Sequence, residues 1–351
     1  MFTELEMPVT PTSAQDIELP QRFEALEGMI GHTPLLHLEV GVDDATYNVF
    51  VKCEWKNLTG SIKDRMALHI LREGYRSGAL KPGFRIVEAT SGNTGISFSA
   101  LGRALGHPVT IFMPDWMSQE RIMLMKSFGA DVRLVSKAEG GFLGSIAMAE
   151  AMAANDPEIF LPRQFSNEAN IAAHLCGTGK ELCEQMARVG GSLDAFVAGV
   201  GTGGTVMGVG AALRRCFPEI RLHPLEPAES PTLTTGCKVG QHRIQGISDE
   251  FIPSIVKLET LDAPIAISDA EAIHMAQRLA CETGMGVGIS SGANLLGAVR
   301  VAMGLGAGTG VGTVFADDSK KYLSTDLTRA QTLADDCLAK RVEIRAMRVF
   351  A

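Results

Sequence analysis

The sequence predicts an α/β protein built from two open, twisted sheets that are covered by helices. Short β-branched or apolar runs alternate with longer segments of helical periodicity almost from end to end, which is typical of parallel strands joined by helices. The length of 351 residues is about twice a typical domain of ~100–200 residues. The 38 glycines exceed the usual share of ~7%. We therefore expect two α/β domains with glycine-rich loops that expose their backbone groups.

The first set of elements predicts a smaller, mobile α/β domain over residues 46–158. Each predicted strand precedes a predicted helix, as parallel pairing requires. The strands are Val49–Lys52, Arg85–Glu88, Val109–Met113 and Asp131–Val135, and the helices are Ile62–Tyr75, Thr94–Leu105, Ser118–Phe128 and Phe142–Ala153.

The second set predicts a larger α/β domain over residues 1–45 plus 159–351. Its strands begin near Phe160 and include Ala195–Ala198, Arg221–Leu225 and Gly312–Phe315, and its helices lie near Asn170–Ala187, Thr205–Cys216, Asp269–Glu282 and Asn294–Met303. Ser268 and Glu271 form a capping box at the start of the third helix, because each side chain can satisfy an early backbone donor. The tail from Leu327 to Ala351 is interpreted as a terminal helix and strand.

Charge and cysteine usage exclude several partners. Lys plus Arg number 32 and Asp plus Glu 40, which gives a net charge of −8 and argues against nucleic acid. The seven cysteines are odd in number and never spaced as CxxC, so we expect reduced thiols and no metal site. Residues 1–20 lack the basic and apolar run of an export signal, so the cytoplasm is expected.

One uncharged stretch, Ala195–Leu213, has the length of a membrane span. Its six glycines are too many for one stable helix, so we interpret it as a buried strand, a loop and the start of a helix. No membrane contact is therefore expected.

The loop of this stretch, Gly199 to Gly204, matches the glycine pattern of dinucleotide-binding proteins, with Glu226 following at about the expected distance of ~20 residues. More generally, it predicts a phosphate site at a helix N-terminus, where backbone N–H groups and the helix dipole favour an anion. The hydroxyls of Thr202 and Thr205 would add donors. The identity of the phosphate stays open, and a purely structural turn is the alternative.

A second polar loop runs from Thr90 to Gly95, between a strand that ends at Glu88 and a helix. Open α/β sheets bind ligands at such strand ends. The neutral donors of this loop suit a carboxylate, although a well-capped helix start would explain the same residues.

Lys63 stands in the first turn of a predicted helix, where a cation opposes the helix dipole. A partly desolvated amine there has a lowered pKa and can attack an aldehyde. The alternative is an ordinary solvated lysine.

Taken together and in this order, the three features resemble the fold-type II pyridoxal-phosphate enzymes, and most closely the cysteine synthase and cystathionine β-synthase family. That family has a tryptophan synthase β-like fold. The resemblance spans about Gly31 to Thr325. It is carried by Gly31–Leu35, Asn57–Arg65, Thr90–Gly95, Met117–Gly129, Gln164-Phe165, Gly199–Thr205, His242–Pro253, Gly288–Gly292 and Tyr322–Thr325.

The resemblance implies pyridoxal 5′-phosphate as cofactor and a role for each matching residue. Lys63 is similar to the Schiff-base lysine that later acts as base, Asn93 to the partner of the cofactor's 3′-oxygen, and Ser290 to the hydroxyl at the pyridine nitrogen. The phosphate cup would comprise Gly201, Thr202, Gly203, Gly204 and Thr205. The substrate site would comprise Thr90, Ser91, Gly92, Thr94, Gln164 and Gly246.

The implied reaction is β-replacement on an activated L-serine, O-acetyl- or O-phosphoserine, through α-aminoacrylate, with sulfide giving L-cysteine. The protein would then be a transferase or lyase of cysteine biosynthesis, and the family commonly forms homodimers. A neutral group at Ser290 leaves the ring a weaker electron sink, which favours loss of a β-substituent over transamination. A dehydrogenase interpretation leaves Lys63 and the Thr90 loop without a role.

One departure from the family pattern concerns the choice of nucleophile. Ser248, Asp249 and Glu250 replace smaller residues, and we expect them to line the entrance and to disfavour anionic nucleophiles by like-charge repulsion. Homocysteine, an amine or another sulfur species therefore remain as alternatives. Two other functions also remain as alternatives: a serine/threonine dehydratase, and a non-catalytic binding protein of the same fold.

Overall fold

The structure is a computed structural model that describes residues 18–351. The expected absence of an export signal concerns residues 1–20, and residues 1–17 of that segment lie outside the described part.

The described chain alternates strands and helices from its start to its end. The strands are β1 Leu35–Val42, β2 Ala45–Cys53, β3 Arg85–Ala89, β4 Val109–Pro114, β5 Asp131–Val135, β6 Ile159–Phe160, β7 Ala195–Gly199, β8 Arg221–Pro227, β9 Ile265–Ile267, β10 Gly310–Phe315 and β11 Val342–Phe350. The helices are α1 Leu19–Glu27, α2 Lys63–Ser77, α3 Asn93–Ala104, α4 Gln119–Ser127, α5 Gly141–Ala154, α6 Glu168–Ala173, α7 Lys180–Val189, α8 Gly204–Cys216, α9 Thr232–Thr235, α10 Asp269–Thr283, α11 Ile289–Leu305 and α12 Leu338–Arg341.

The strands form two sheets, which confirms the predicted α/β class. A four-stranded parallel sheet has the order β5-β4-β3-β6, and a seven-stranded sheet has the order β11-β1-β2-β10-β7-β8-β9. The central strands β4 and β10 are buried along their whole length. Strands that are covered by helices on both faces need such continuous apolar sequence.

The strand that the sequence places first in the smaller unit belongs to the larger sheet. The predicted run Val49–Lys52 lies in β2, which pairs antiparallel with β1 and parallel with β10. This assignment was wrong because β1 was not recognised, and β1 is joined to β2 by a tight turn. Conversely, the strand predicted near Phe160 for the larger unit is β6, which pairs with β3 in the smaller sheet, so that assignment was also wrong, because pairing between distant segments is not visible in the sequence pattern. The division at residues 46 and 158 stays a prediction.

The helix predicted over 170–187 is divided into α6, a π-helical segment His174–Gly179 and α7. This segment packs closely on α8, because a Cβ at Gly179 would lie 2.6 Å from the Cβ of Ala212. The α-helical hydrogen-bond pattern is therefore interrupted at the place where this segment packs closely on α8.

Several smaller predictions are confirmed. The Ser268 side chain caps α10 by accepting from the N–H of Glu271, but the Glu271 carboxylate accepts the Ser268 hydroxyl, so only half of the predicted capping box forms. The tail forms α12 and β11. Residues 195–213 form β7, a loop and most of α8.

Within residues 18–351, none of the helices combines the length and apolarity that crossing a bilayer requires.

A buried cluster of charges joins β2, α2 and α7. The Arg65 guanidinium lies 2.6 Å from carboxylate oxygens of both Glu54 and Glu181, and the Lys52 ammonium lies 2.9 Å from Glu181. Although burial opposes the shift, hydrogen bonds from Arg65 lower the pKa of Glu181. Each charge in this cluster depends on its partners, because an unpaired buried charge is strongly destabilising.

We predict that Glu54→Gln lowers the free energy of unfolding by about 3 kcal/mol, because Arg65 keeps its charge and loses a fully buried partner. Urea-induced unfolding measures this change. The matched control is Glu73→Gln, whose partner Arg76 is 78% exposed and which should change stability by less than about 1 kcal/mol. Equal effects of the two variants would contradict the prediction.

Candidate active site

The candidate site lies where parallel strands of both sheets end. β3 leads into the loop before α3, and β7 leads into the loop before α8, while Lys63 and Ser290 lie in the first turns of α2 and α11. Ligands of open α/β sheets bind at this edge. Ten of the predicted residues line one inner pocket: Lys63, Thr90, Ser91, Asn93, Thr94, Gln164, Thr202, Thr205, Gly246 and Ser290. Gly92, Gly201, Gly203 and Gly204 belong to the same loops but do not line the pocket.

Lys63 is the first residue of α2. Burial lowers the pKa of its amine, although the nearby carboxylates of Asp317 and Asp249 oppose the shift. A larger fraction of the amine is therefore unprotonated at neutral pH than for a surface lysine. Such an amine can attack a carbonyl carbon or accept a proton.

The loop before α8 is a close-packed glycine turn at a helix N-terminus. A Cβ at Gly201 would overlap the carbonyl oxygen of Gly246, and a Cβ at Gly204 would overlap the Asn170 side chain. Only glycine permits these close approaches, which pack the loop tightly at the N-terminus of α8, where an anion is favoured. The Thr202 hydroxyl accepts a hydrogen bond from the Asn170 amide at 2.9 Å, which fixes its orientation.

The second loop is tied to a distant part of the chain. The N–H of Gly92 donates to the Thr90 hydroxyl at 3.0 Å. The Thr94 hydroxyl donates to the side-chain oxygen of Gln164 at 2.6 Å, and the Gln164 amide donates to the carbonyl of Ala89 at 2.9 Å. Gln164 therefore lies against this loop, while its role toward a substrate stays a prediction.

Asn93 and Ser290 leave polar atoms for a ligand. The Asn93 amide donates to Asp317 at 2.6 Å, while its buried side-chain oxygen has no partner within residues 18–351. Ser290 is buried and neutral. Lys63, Asn93 and Ser290 line the same pocket, and the free amide oxygen of Asn93 fits a ligand that donates a hydrogen bond there, since buried polar atoms require partners.

Three pocket or near-pocket residues were not assigned a role from the sequence. The Tyr322 hydroxyl donates to Asp317 at 2.5 Å, and the Arg121 guanidinium stacks 4.5 Å from the centre of the Tyr322 ring. Arg121 lines the pocket, and its buried Nε and Nη1 have no partner among the described residues. A bound anion would stabilise this cation. Arg121 and Tyr322 lie in segments that carried the resemblance, but no sequence pattern indicated their contact.

The predicted entrance residues face different surroundings. Ser248, Asp249 and Glu250 line an outer pocket beside the inner one. Glu250 is paired with Lys238 at 2.9 Å, and Lys137 lines the same pocket. These lysines oppose the expected repulsion of anions.

Asp249 differs from Glu250 because it also lines the inner pocket. Part of the residue is accessible, but desolvation of its carboxyl raises its pKa to about 6, and the nearby Lys63 opposes the shift. Above pH 6 this group is an ionised carboxylate beside the reactive amine.

Metal ligation has no support in the described part of the chain. Residues 18–351 contain no group of three or more His, Cys, Asp or Glu side chains placed to hold a metal. The seven cysteines are free thiols.

Comparisons with known proteins agree with this geometry. Residues 26–317 match a family described as pyridoxal-phosphate dependent enzymes. A probable cysteine synthase of Bacillus subtilis is 42% identical over 299 residues, which cover 85% of this chain and 96% of the relative. A cysteine synthase of Staphylococcus aureus is also 42% identical, over 85% of this chain and 95% of the relative.

A solved structure is similar over nearly the whole chain. A hydrogen sulfide-producing enzyme of Fusobacterium nucleatum is 52% identical, covers 94% of this chain and 99% of its own, and superposes with a TM-score of 0.90.

We predict that Gly201→Ala weakens binding of pyridoxal phosphate at least about tenfold, because the added Cβ overlaps Gly246 and displaces the phosphate loop. Titration of the cofactor-free protein by absorbance measures the dissociation constant. Gly304→Ala is the matched control, because nothing lies within 4 Å of its added Cβ. Equal affinity for both variants would show that this loop does not hold the phosphate.

Proposed function

The chain belongs to the family of pyridoxal-phosphate dependent enzymes, and we propose that it catalyses β-replacement on an activated L-serine with sulfide to give L-cysteine. O-acetyl- or O-phosphoserine would be the donor. One observation carries the proposal: the buried Lys63 amine opens on a pocket shared by the phosphate-type loop and the Thr90 loop. The similarity to cysteine synthases supports it.

The residues fit a division of roles around the cofactor. When bound, pyridoxal phosphate supplies an aldehyde that captures amines and a ring that withdraws electrons. Lys63 would hold its aldehyde carbon, the residues from Gly201 to Thr205 its phosphate, Asn93 its 3′-oxygen and Ser290 its ring nitrogen.

The substrate would be oriented by neutral donors. Its carboxylate would be held by Thr90, Ser91, Gly92, Thr94, Gln164 and Gly246, which would place the α-proton near Lys63. Burial lowers the pKa of the Lys63 amine, so once displaced it can accept that proton. Loss of the β-substituent then allows the nucleophile to enter.

We predict that Lys63→Ala abolishes covalent attachment of the cofactor and lowers turnover at least about 10³-fold, because one amine serves as anchor and as base. Borohydride reduction followed by peptide mass measurement detects the attachment, and a sulfide-dependent assay detects turnover. Lys56→Ala is the control, because Lys56 is exposed and its nearest ring partner is Trp55. Unchanged turnover in Lys63→Ala would refute the proposal.

A second candidate reaction is sulfide release from L-cysteine with entry of a nucleophile that carries a proton, such as water, a thiol or an amine. Two observations favour it: the similarity to a hydrogen sulfide-producing enzyme, and Asp249 beside Lys63 in the inner pocket. A carboxylate is not needed to activate anionic hydrosulfide. It can, however, accept the proton of a neutral nucleophile as the new bond to the β-carbon forms.

We predict that Asp249→Asn slows sulfide release from cysteine about 10²-fold and slows cysteine formation from hydrosulfide much less. In the unmodified enzyme, sulfide release should fall below pH 6, because the pKa of Asp249 is raised to about 6 and the base becomes protonated. Glu250→Gln is the control, since that carboxylate is already paired with Lys238. Equal losses in both directions would contradict a role for Asp249 as base.

Three further features are proposed on the sequence and the resemblance alone. The smaller domain of residues 46–158 would move against residues 1–45 plus 159–351, the chain would form a homodimer, and the enzyme would act in the cytoplasm without nucleic-acid or membrane partners.

A further inference from the structure

Glu88 is a buried carboxyl that has no role in the chemistry described above. It lies in β3, next to the substrate loop, and is only 4% exposed. One of its oxygens accepts the N–H of Ala89 at 2.9 Å, and the other accepts the N–H of Gln164 at 3.3 Å. The side chain thus connects the end of β3 to a residue that is distant in sequence.

The surroundings of this carboxyl are mostly apolar. It lines a cavity with Ala89, Ile146, Ala149, Leu161 and Phe251, and the other charged residues lining that cavity are Arg163 and Glu150. No lysine, arginine or histidine within the described chain forms an ion pair with Glu88. A buried carboxylate without a cationic partner is unfavourable, so stability alone does not explain Glu88.

Gln164 is the point where the contacts of Glu88 meet the substrate loop. Its backbone is held by Glu88, while its side chain bonds both Ala89 and Thr94. A displacement of the Gln164 backbone would therefore move two contacts of the loop at once.

We propose that the Glu88 carboxylate is a positioning residue that holds Gln164 against the substrate loop, and that its protonation weakens binding of the substrate's carboxylate. The second clause rests on the proposed function, because it assigns that carboxylate to the Thr90 loop. The first clause rests only on the hydrogen bonds.

The direction of the pH effect follows from the local environment. Burial raises the pKa of Glu88 to about 7, although backbone hydrogen bonds from Ala89 and Gln164 and the charge of Arg163 oppose the shift. At pH 8 both oxygens accept N–H bonds. At pH 6 one oxygen carries a proton, so the hold on Gln164 is weaker and KM for the amino-acid substrate rises.

The contribution of Glu88 to folding stability decreases with rising pH, whereas its hold on Gln164 becomes stronger. The protonated form favours folding, so this contribution is complete below the unfolded pKa near 4.5 and is lost as pH rises through about 7. A group retained for stability would lower Tm when neutralised at pH 8. A positioning carboxylate can be neutralised there without loss of Tm.

The test compares Glu88→Gln with Glu150→Gln, which removes the same charge from the same cavity at an exposed position. In Glu88→Gln we expect faster hydrogen exchange of the peptide containing Gln164 in the cofactor-free protein, and no decrease of Tm at pH 8. With the holoenzyme at pH 8 we expect KM to rise about tenfold, from loss of one hydrogen bond to a charged group, and kcat to change less. The KM of this variant should vary less between pH 6 and 8 than that of the unmodified enzyme, and the variation that remains comes from Asp249, whose pKa is raised to about 6.

Each outcome decides the matter. Exchange at Gln164 equal to that of the unmodified protein, or a lower Tm with unchanged KM, overturns the proposal. So does a KM of the unmodified enzyme that is constant between pH 6 and 8, which needs no variant. If the unmodified holoenzyme binds no serine derivative or cysteine, the proposed function fails, while the exchange experiment still decides the role of Glu88.

Discussion

The position of the Lys63 amine is the constraint on which the rest of the site depends. Lys63 begins α2 next to Asp64, whose buried carboxylate accepts the Thr59 N–H at 2.7 Å and the Ser97 hydroxyl at 2.6 Å. The N–H of Ile62 donates to the carbonyl of Ala316 at 2.8 Å. Because Ser97 belongs to α3 and Ala316 follows β10, these contacts fix the amine relative to both sheets.

Charge around this amine is balanced within the inner pocket. The negative charges of Asp317 and Asp249 raise the pKa of Lys63, against the effect of burial. Arg121 adds a buried cation whose Nε and Nη1 have no partner among the described residues. The unpaired atoms of Arg121 suit a ligand that carries negative charge. The pairing of Glu250 with Lys238 leaves Asp249 as the entrance acid that reaches the chemistry.

Buried charges serve two different purposes in this fold. The cluster of Arg65, Glu54, Glu181 and Lys52 is fully paired, so it stabilises one arrangement of β2, α2 and α7. Glu88 is held only by backbone N–H groups, so its charge state responds to pH near neutrality. In the first arrangement every charge has a partner, and in the second, as proposed above, protonation is coupled to the geometry of a binding loop.

The sequence by itself determined the α/β class, most element positions and the loops that surround the pocket. It could do so because alternating periodicity, glycine turns and a helix-start lysine are local features of the chain. Only the tertiary structure placed β2 in the larger sheet, stacked Arg121 on Tyr322 and turned Asp249 inward while pairing Glu250 outward. These outcomes depend on which distant segments meet and on how far each charge is desolvated, and neither quantity is encoded in the spacing of neighbouring residues.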